Sequence, residues 1–441
     1  MTIKELSEKI QNIGVVGAGG AGFPTHAKLD ERGKTILMNC AECEPLLKLH
    51  RQLLQYHADE ILSTFALIAD TVGAEEGIIG IKKEYKETIE ALEQYIGKYP
   101  KLRIHQLPGA YPMGDEVVLI YEATGKQVRP GGLPIETGVA VFNVETVYNV
   151  YRGLNQGTPV VDKVISIVGE VEHPVTVRAP LGTPLSEVIA QAGRITTQNP
   201  RYIIGGPMMG RMGKPYDPVT KTTNAVLVLP EDHYLVRRME AKNAVNIKRA
   251  ASVCCQCQMC TDLCPRHMLG HPIEPHKFMR SVANHDFQDT NVFINTMFCS
   301  SCGTCELYSC PQGLSPRTLI TAYKTGLRAQ GVKVPVGVIP APVKESRAYR
   351  KAPEARLEAR LGLTRYNLPA PLNDEVMAVN KVTERTSQHI GAPAVPCVQV
   401  GDTVQRGQQI AAPGKGLSVP VHASISGRVT EVTDQYIVIQ A

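Results

Sequence analysis

Two matched cysteine runs constrain this chain more than any other feature. The first reads Cys254-x2-Cys257-x2-Cys260-x3-Cys264-Pro265, the second Cys299-x2-Cys302-x2-Cys305-x4-Cys310-Pro311. Three cysteines at x2 spacing can wrap one corner of an iron–sulfur cube, and a fourth followed by proline usually ligates the other cluster of a pair. This gives a crossed assignment: Cys254, Cys257, Cys260 and Cys310 around one 4Fe–4S centre, and Cys264, Cys299, Cys302 and Cys305 around the other. Structural zinc is the competing reading of paired CxxC units; the third cysteine of each triple and the trailing Cys-Pro disfavour it. A chain built to hold two cubes moves electrons. Cys255, adjacent to Cys254, points in a different direction and is expected as a packed thiol near the cluster.

The rest of the sequence sets wider bounds. At 441 residues the chain exceeds the size of one ordinary core, so three or four domains are expected. Its cysteines are clustered with metal spacing, and it opens without a signal-peptide pattern, which together predict a reducing cytoplasm. No apolar run approaches the roughly 20 residues needed to cross a bilayer. Ile3, Leu6, Ile10 and Ile13 share one helical face, read as a short packed helix with a membrane or docking peptide as the alternative. The net charge of +5 is small, Trp is absent, and basic and aromatic residues do not interleave, so nothing calls for a nucleic-acid partner.

Along the chain, Ile13-Gly14-Val15-Val16 is a strand candidate leading into Gly17-Ala18-Gly19-Gly20-Ala21-Gly22. Such a run lets backbone approach a phosphate or a flavin edge, although a tight structural turn is the alternative. Residues 35–38 read as a strand ending in Asn39-Cys40-Ala41-Glu42-Cys43-Glu44-Pro45. Cys40 and Cys43 are read as pocket residues rather than a redox disulfide. Helical periodicity covers 50–69 and 83–99, flanking a strand at 71–72 or 78–81, with further strands at 103–106 and 139–142, so the chain up to about residue 160 looks α/β. From Lys163 short strands and one helix at 185–192 suggest a compact α+β module. Its loop Gly205-Gly206-Pro207-Met208-Met209-Gly210 is read as a turn closing the small sheet, with a nucleotide contact as the alternative. Residues 332–371 are proline-rich, a linker or wrapping arm. After Pro393, short strands between glycine turns match an all-β barrel-like sandwich. Its expected hairpin tip, 421–427, lacks the lysine that a biotin or lipoyl carrier needs.

The glycine run to Leu29, the Asn39-x-x-Glu42-x-Glu44-Pro45 segment, Tyr111 to Glu116 and Asn143-Val144-Glu145-Thr146 resemble the flavin-binding subunit of respiratory complex I. They are still more similar to the soluble electron-input subunit of Rnf ion-pumping complexes. The module order most resembles the cobalamin reductase family of propanediol-utilisation microcompartments. That resemblance implies a multidomain α/β and α+β fold. An FMN/NADH-binding α/β domain would occupy residues 1–162, a β-grasp (soluble-ligand-binding) domain 163–235 and a helical two-cluster ferredoxin-like domain 236–330. The arm would span 331–371 and a barrel-sandwich hybrid 372–441.

The resemblance also implies site residues. Gly17, Gly19, Gly20 and Gly22 would approach FMN, and Lys28 would reach its phosphate or ribityl chain. Asn39, Glu42, Glu44, Tyr111, Gly114, Asp115 and Asn143 would line the pocket. Glu44 and Asp115 would contact the nicotinamide ribose or amide. Ala18 and Ala41 depart from the complex I pattern, where arginine and aspartate are usual, and the second cysteine run has one extra residue before Cys310. The implied activity is electron transfer from NADH through FMN and two clusters to a corrinoid. The alternatives are an adaptor feeding another microcompartment or membrane redox partner, and a non-catalytic shell-associated protein. A corrinoid adenosyltransferase or other redox partner, contact with a microcompartment shell, and docking through residues 393–441 are expected. His389 and His422 are read as surface or turn histidines rather than cobalt ligands.

Overall fold

Near-continuous apolar runs such as Ile36-Leu37-Met38 and Ile78-Ile79 can be buried on both faces only by a parallel sheet sandwiched between helices. The computed structural model, which describes residues 1–441, has that arrangement. Four parallel strands lie in the spatial order Leu102–Leu107, Glu76–Lys82, Thr35–Cys40, Val139–Asn143. The chain steps outward from the strand Thr35–Cys40 twice and then returns to its other side. This reversal is the switch point where ligands bind beyond the carboxyl ends of an open α/β sheet. Asn39 and Asn143 are register partners there.

Several local expectations change. Ile13–Val16 forms no strand; the helix Ile3–Asn12 ends and only an isolated bridge joins Val16 to Pro24. The helical stretch at 50–69 is two helices, Leu49–Tyr56 and Ala58–Val72. His57 breaks it, stacking on Tyr148 at 4.3 Å between ring centroids and meeting Asp374 at 2.8 Å.

The second module is a six-stranded mixed sheet in the order Leu372–Val376, Val175–Pro180, Asp162–Gly169, Ala225–Pro230, Pro200–Ile204, Arg211–Gly213. Its edge strand comes from beyond the arm, pairing in parallel with Val175–Pro180, so the start of the C-terminal segment is woven into the β-grasp sheet. The arm is ordered structure. Ala352–Pro353 pairs with Ala110–Tyr111 of the first domain. The helix Glu354–Arg360 then brings Leu357 into a core that the flavin-type domain and the β-grasp module share, and Leu361 and Leu363 follow it. Wrapping describes these contacts better than linking.

The cysteine region is helical, with Asn243–Val253, Pro275–Ala283 and Pro316–Ala329 as its longer helices. Residues 381–440 form two small sheets around their own core of Val382, Val404, Ile410, Val429 and Ile437. No helix is long and apolar enough to cross a membrane.

Candidate flavin crevice and cluster sites

The glycine run crosses the switch point. Its base is fixed by the Gly17 N–H donating to the Phe23 carbonyl (2.9 Å) and the Ala18 N–H to the Thr146 hydroxyl (3.0 Å). Gly19, Gly20 and Ala21 are exposed, and their N–H groups make no backbone hydrogen bond. Gly19 permits the closest approach: a Cβ there would lie 1.7 Å from Nδ2 of Asn143. Asn39 donates to the Gly114 carbonyl (3.0 Å) and accepts from the Ala41 N–H (3.1 Å), tying the first strand's exit to the 108–115 loop. Lys28 donates to the Val141 carbonyl (2.9 Å) and lies 3.5 Å from Glu116.

The crevice also holds buried polar atoms without partners, which in a folded protein call for an explanation such as a ligand. Nε2 of His50 is one; burial lowers the imidazole to about 4, so it stays neutral. Oε1 of Glu44 is another. Its Oε2 accepts the Met208 N–H (2.9 Å), and burial raises the carboxyl to about 7. Free N–H donors on a glycine loop, unpaired buried polar atoms and a switch-point crevice together fit a flavin mononucleotide.

Other expected pocket residues are committed elsewhere. The Glu42 carboxylate turns onto the start of the helix Leu49–Tyr56, accepting from the N–H groups of His50 (2.7 Å) and Arg51 (3.4 Å). Asp115 caps the helix Glu116–Thr124 through the N–H groups of Val117 (3.0 Å) and Val118 (3.2 Å), a role suited to a short acid at a helix start. Its second oxygen pairs with Arg266 at 2.9 Å. The Tyr111 hydroxyl donates to the Cys302 carbonyl at 2.5 Å. Asp115 and Tyr111 therefore join the flavin-type domain to the cysteine region.

The eight cysteines ring two cavities. Cys264, Cys299, Cys302 and Cys305 line one with Arg266 and Arg317; Cys254, Cys257, Cys260 and Cys310 line the other, with Cys255 at its edge. No three His, Cys, Asp or Glu side chains converge tightly enough for a single metal ion. Cys255 is exposed rather than packed. The extra residue before Cys310 is absorbed by a π-helical turn at Thr304–Ser309, which adds one residue per turn. Arg360 of the arm donates to the Cys310 carbonyl (2.7 Å).

Several functional contacts have weak sequence signals. Met208 receives Glu44 on its N–H, and its carbonyl accepts from Arg317 (3.2 Å), so the Gly205–Gly210 loop is a junction of three domains as well as a turn. Arg266 carries no sequence signal beyond its place directly after Cys264-Pro265. His422 is buried, not a surface histidine, and burial lowers it to about 4. The C-terminal domain packs on the β-grasp module and the flank of the glycine loop. Lys221 bridges the carbonyls of Gly14 (2.8 Å) and Pro420 (3.1 Å), and the Ile390 N–H donates to the Gly22 carbonyl (3.3 Å).

A flavin crevice abutting a cavity lined by cluster-type cysteines defines a flavo-iron–sulfur oxidoreductase, and comparison with known proteins agrees. Family models match residues 10–152 as the Nuo51 FMN-binding domain and 164–211 as an SLBB domain. Others match 253–315 as a 4Fe-4S dicluster domain and 373–441 as the RnfC barrel sandwich hybrid domain. The chain is 42% identical to the cobalamin reductase PduS of Salmonella typhimurium, covering 100% of this chain and 97% of that protein. It is 41% identical to PduS of Citrobacter freundii over 98% of this chain and 96% of that one. The chain belongs to the PduS cobalamin reductase family. It is also 34% identical to one component of the Na(+)-translocating ferredoxin:NAD(+) oxidoreductase complex of Acetobacterium woodii, over 61% of this chain and 59% of that component. Among solved structures, NAD+-reducing NiFe hydrogenase in the H2-reduced state shares the fold, with a TM-score of 0.51 and 22% identity over 77% of this chain and 64% of that one.

Proposed function

We propose that this protein oxidises NADH at FMN and delivers single electrons, through two 4Fe–4S clusters in series, to a corrinoid. Bound FMN supplies the conversion of a two-electron hydride into single electrons. The chain supplies placement. N–H groups of Gly19, Gly20 and Ala21 would receive the phosphate, Asn39 and Asn143 would fix the crevice floor, and Glu44 would offer its unpaired oxygen to the bound nucleotide. Cys264, Cys299, Cys302 and Cys305 hold the proximal cluster; Cys254, Cys257, Cys260 and Cys310 hold the distal one. The observation that carries this order is the Tyr111 hydrogen bond to the Cys302 carbonyl, which connects the crevice wall directly to a proximal cysteine. The exposed loop at Cys255 and Cys257 makes the distal cluster the exit.

The acceptor reading rests on full-length similarity to the two PduS proteins. Cob(III)alamin or cob(II)alamin would take one electron at a time, beside an adenosyltransferase and inside or against a microcompartment. Stopped-flow mixing of the reconstituted protein with NADH tests the donor half, because flavin bleaching must occur on a catalytic timescale. An anaerobic assay with cob(III)alamin, with and without the adenosyltransferase, tests the acceptor half. NADH oxidation by artificial acceptors but never by corrinoid would leave an electron-transfer adaptor as the function.

A further inference from the structure

The distal cluster lies behind a surface whose composition differs from the rest of the chain. Residues 241–261 contain no Asp or Glu, but they include Lys242, Lys248 and Arg249, all exposed or half-buried at the rim. The flanking acids are already engaged: Glu240 with Arg201 at 3.4 Å and Asp262 with Arg350 at 3.0 Å. Val245, Lys248, Arg249 and Ser252 recur at three- and four-residue intervals on the helix Asn243–Val253, so they form one outward face. That helix runs directly into Cys254. Val245, Val253 and Met259 are 51%, 45% and 40% exposed, large apolar side chains beside the cluster loop.

We infer that residues 242–259 form the docking surface for an acidic protein that carries one electron at a time, an assignment resting on the distal cluster being the exit. The cationic residues would steer an oppositely charged partner into register, since complementary charge raises association rate and fixes orientation. The apolar side chains would supply the dry centre of a transient contact. The proximal cavity offers no such exit, because Tyr111, Asp115 and Arg266 tie it to the flavin-type domain. The redox balance is NADH plus two oxidised one-electron carriers giving NAD+, two reduced carriers and one proton.

The test uses the fully loaded protein with two haem acceptors of opposite charge, acidic cytochrome b5 and basic cytochrome c. At low salt, the KM for cytochrome b5 should be at least about tenfold below that for cytochrome c and should rise with ionic strength. The combined substitution Lys242→Glu, Lys248→Glu and Arg249→Glu should raise the cytochrome b5 KM about tenfold or more. Iron content and NADH bleaching of the flavin should stay unchanged. Equal KM values for the two cytochromes, or an unaltered cytochrome b5 KM in the triple variant, overturn the inference. Dithionite-reduced protein mixed with each cytochrome separates this result from failure of the NADH reading, because that reaction needs no donor chemistry.

Discussion

The two cysteine runs share local backbone but live in opposite surroundings. In each, the residues two and four positions after the first cysteine adopt left-handed φ: Gln256 (55°) and Gln258 (61°) in one, Ser301 (60°) and Gly303 (81°) in the other. The shared x2 spacing is thus accompanied by a shared backbone alternation. Surroundings do not follow from spacing. Cys302 and Cys305 are buried under the flavin-type domain and the β-grasp loop, whereas Cys255 and Cys257 face solvent. A repeated motif thus sets two similar loops, while the neighbouring domains set how deeply each is buried.

Breaking one ligand in each run gives the largest expected contrast. Cys257→Ala should lose the distal cluster, leaving about four of eight irons per chain, with NADH bleaching of the flavin intact. Cys302→Ala should lose the proximal cluster and also stop electrons reaching the distal one. Iron analysis and rapid-mixing spectroscopy of both variants check this; rapid reduction by NADH of the cluster that remains in Cys302→Ala would remove the proposed order. Cys255→Ala should keep both clusters.

Next in size is the tether between the proximal half and the flavin-type domain. Asp115→Ala removes a helix cap, worth about 1 kcal/mol, and leaves Arg266 unpaired in a mostly buried position, where losing one partner costs about 3 kcal/mol or more. Chemical denaturation should show a loss of about 4 kcal/mol or more. A loss below about 1 kcal/mol would mean that Arg266 finds solvent or another acid.

The contrast also shows what the sequence discloses. Cluster chemistry was legible because ligand type and interval are local, and the parallel sheet because its strands are unbroken apolar runs. The roles of Asp115 and Glu42 were not legible. Both sit in segments resembling flavin sites, but Arg266 lies 151 positions from Asp115, and no local pattern announces that pairing. The edge strand Leu372–Val376 was hidden for the same reason: its partner Val175–Pro180 is set by tertiary packing. The break at His57 depended on Tyr148 and Asp374, again distant in sequence.

Glu44 tests the junction between crevice and proximal cluster by pH. Its carboxyl rises from an ordinary 4.5 to about 7 because burial disfavours the charge. Between those values the folded chain holds a proton that the unfolded chain has released, so this residue's contribution to stability falls as pH rises through that window. The full loss is about 3–4 kcal/mol, from about 1.4 kcal/mol per unit. In the flavin-free protein, Glu44→Gln should flatten that decline. Parallel pH curves for the two proteins would show that Glu44 is solvated.

The smallest effects come from exchanging the residues at equivalent positions of the two loops. Gly303 has φ of 81°, and a Cβ there would lie 3.3 Å from the Met208 carbonyl, the atom that accepts from Arg317. Gly303→Ala should therefore cost about 1–2 kcal/mol, the penalty of a side chain in the left-handed region, with some displacement of Met208. At the matching distal position Gln258 already bears that strain at φ of 61° and is exposed. Gln258→Gly relieves it but gives the unfolded chain more freedom, which offsets about 0.5–1 kcal/mol. The net gain should be about 0.5 kcal/mol, read as a small rise in denaturation midpoint with iron content unchanged. A destabilised Gln258→Gly protein would show that the glutamine side chain makes a contact the distal loop needs, and the two loops would then differ in more than their surroundings.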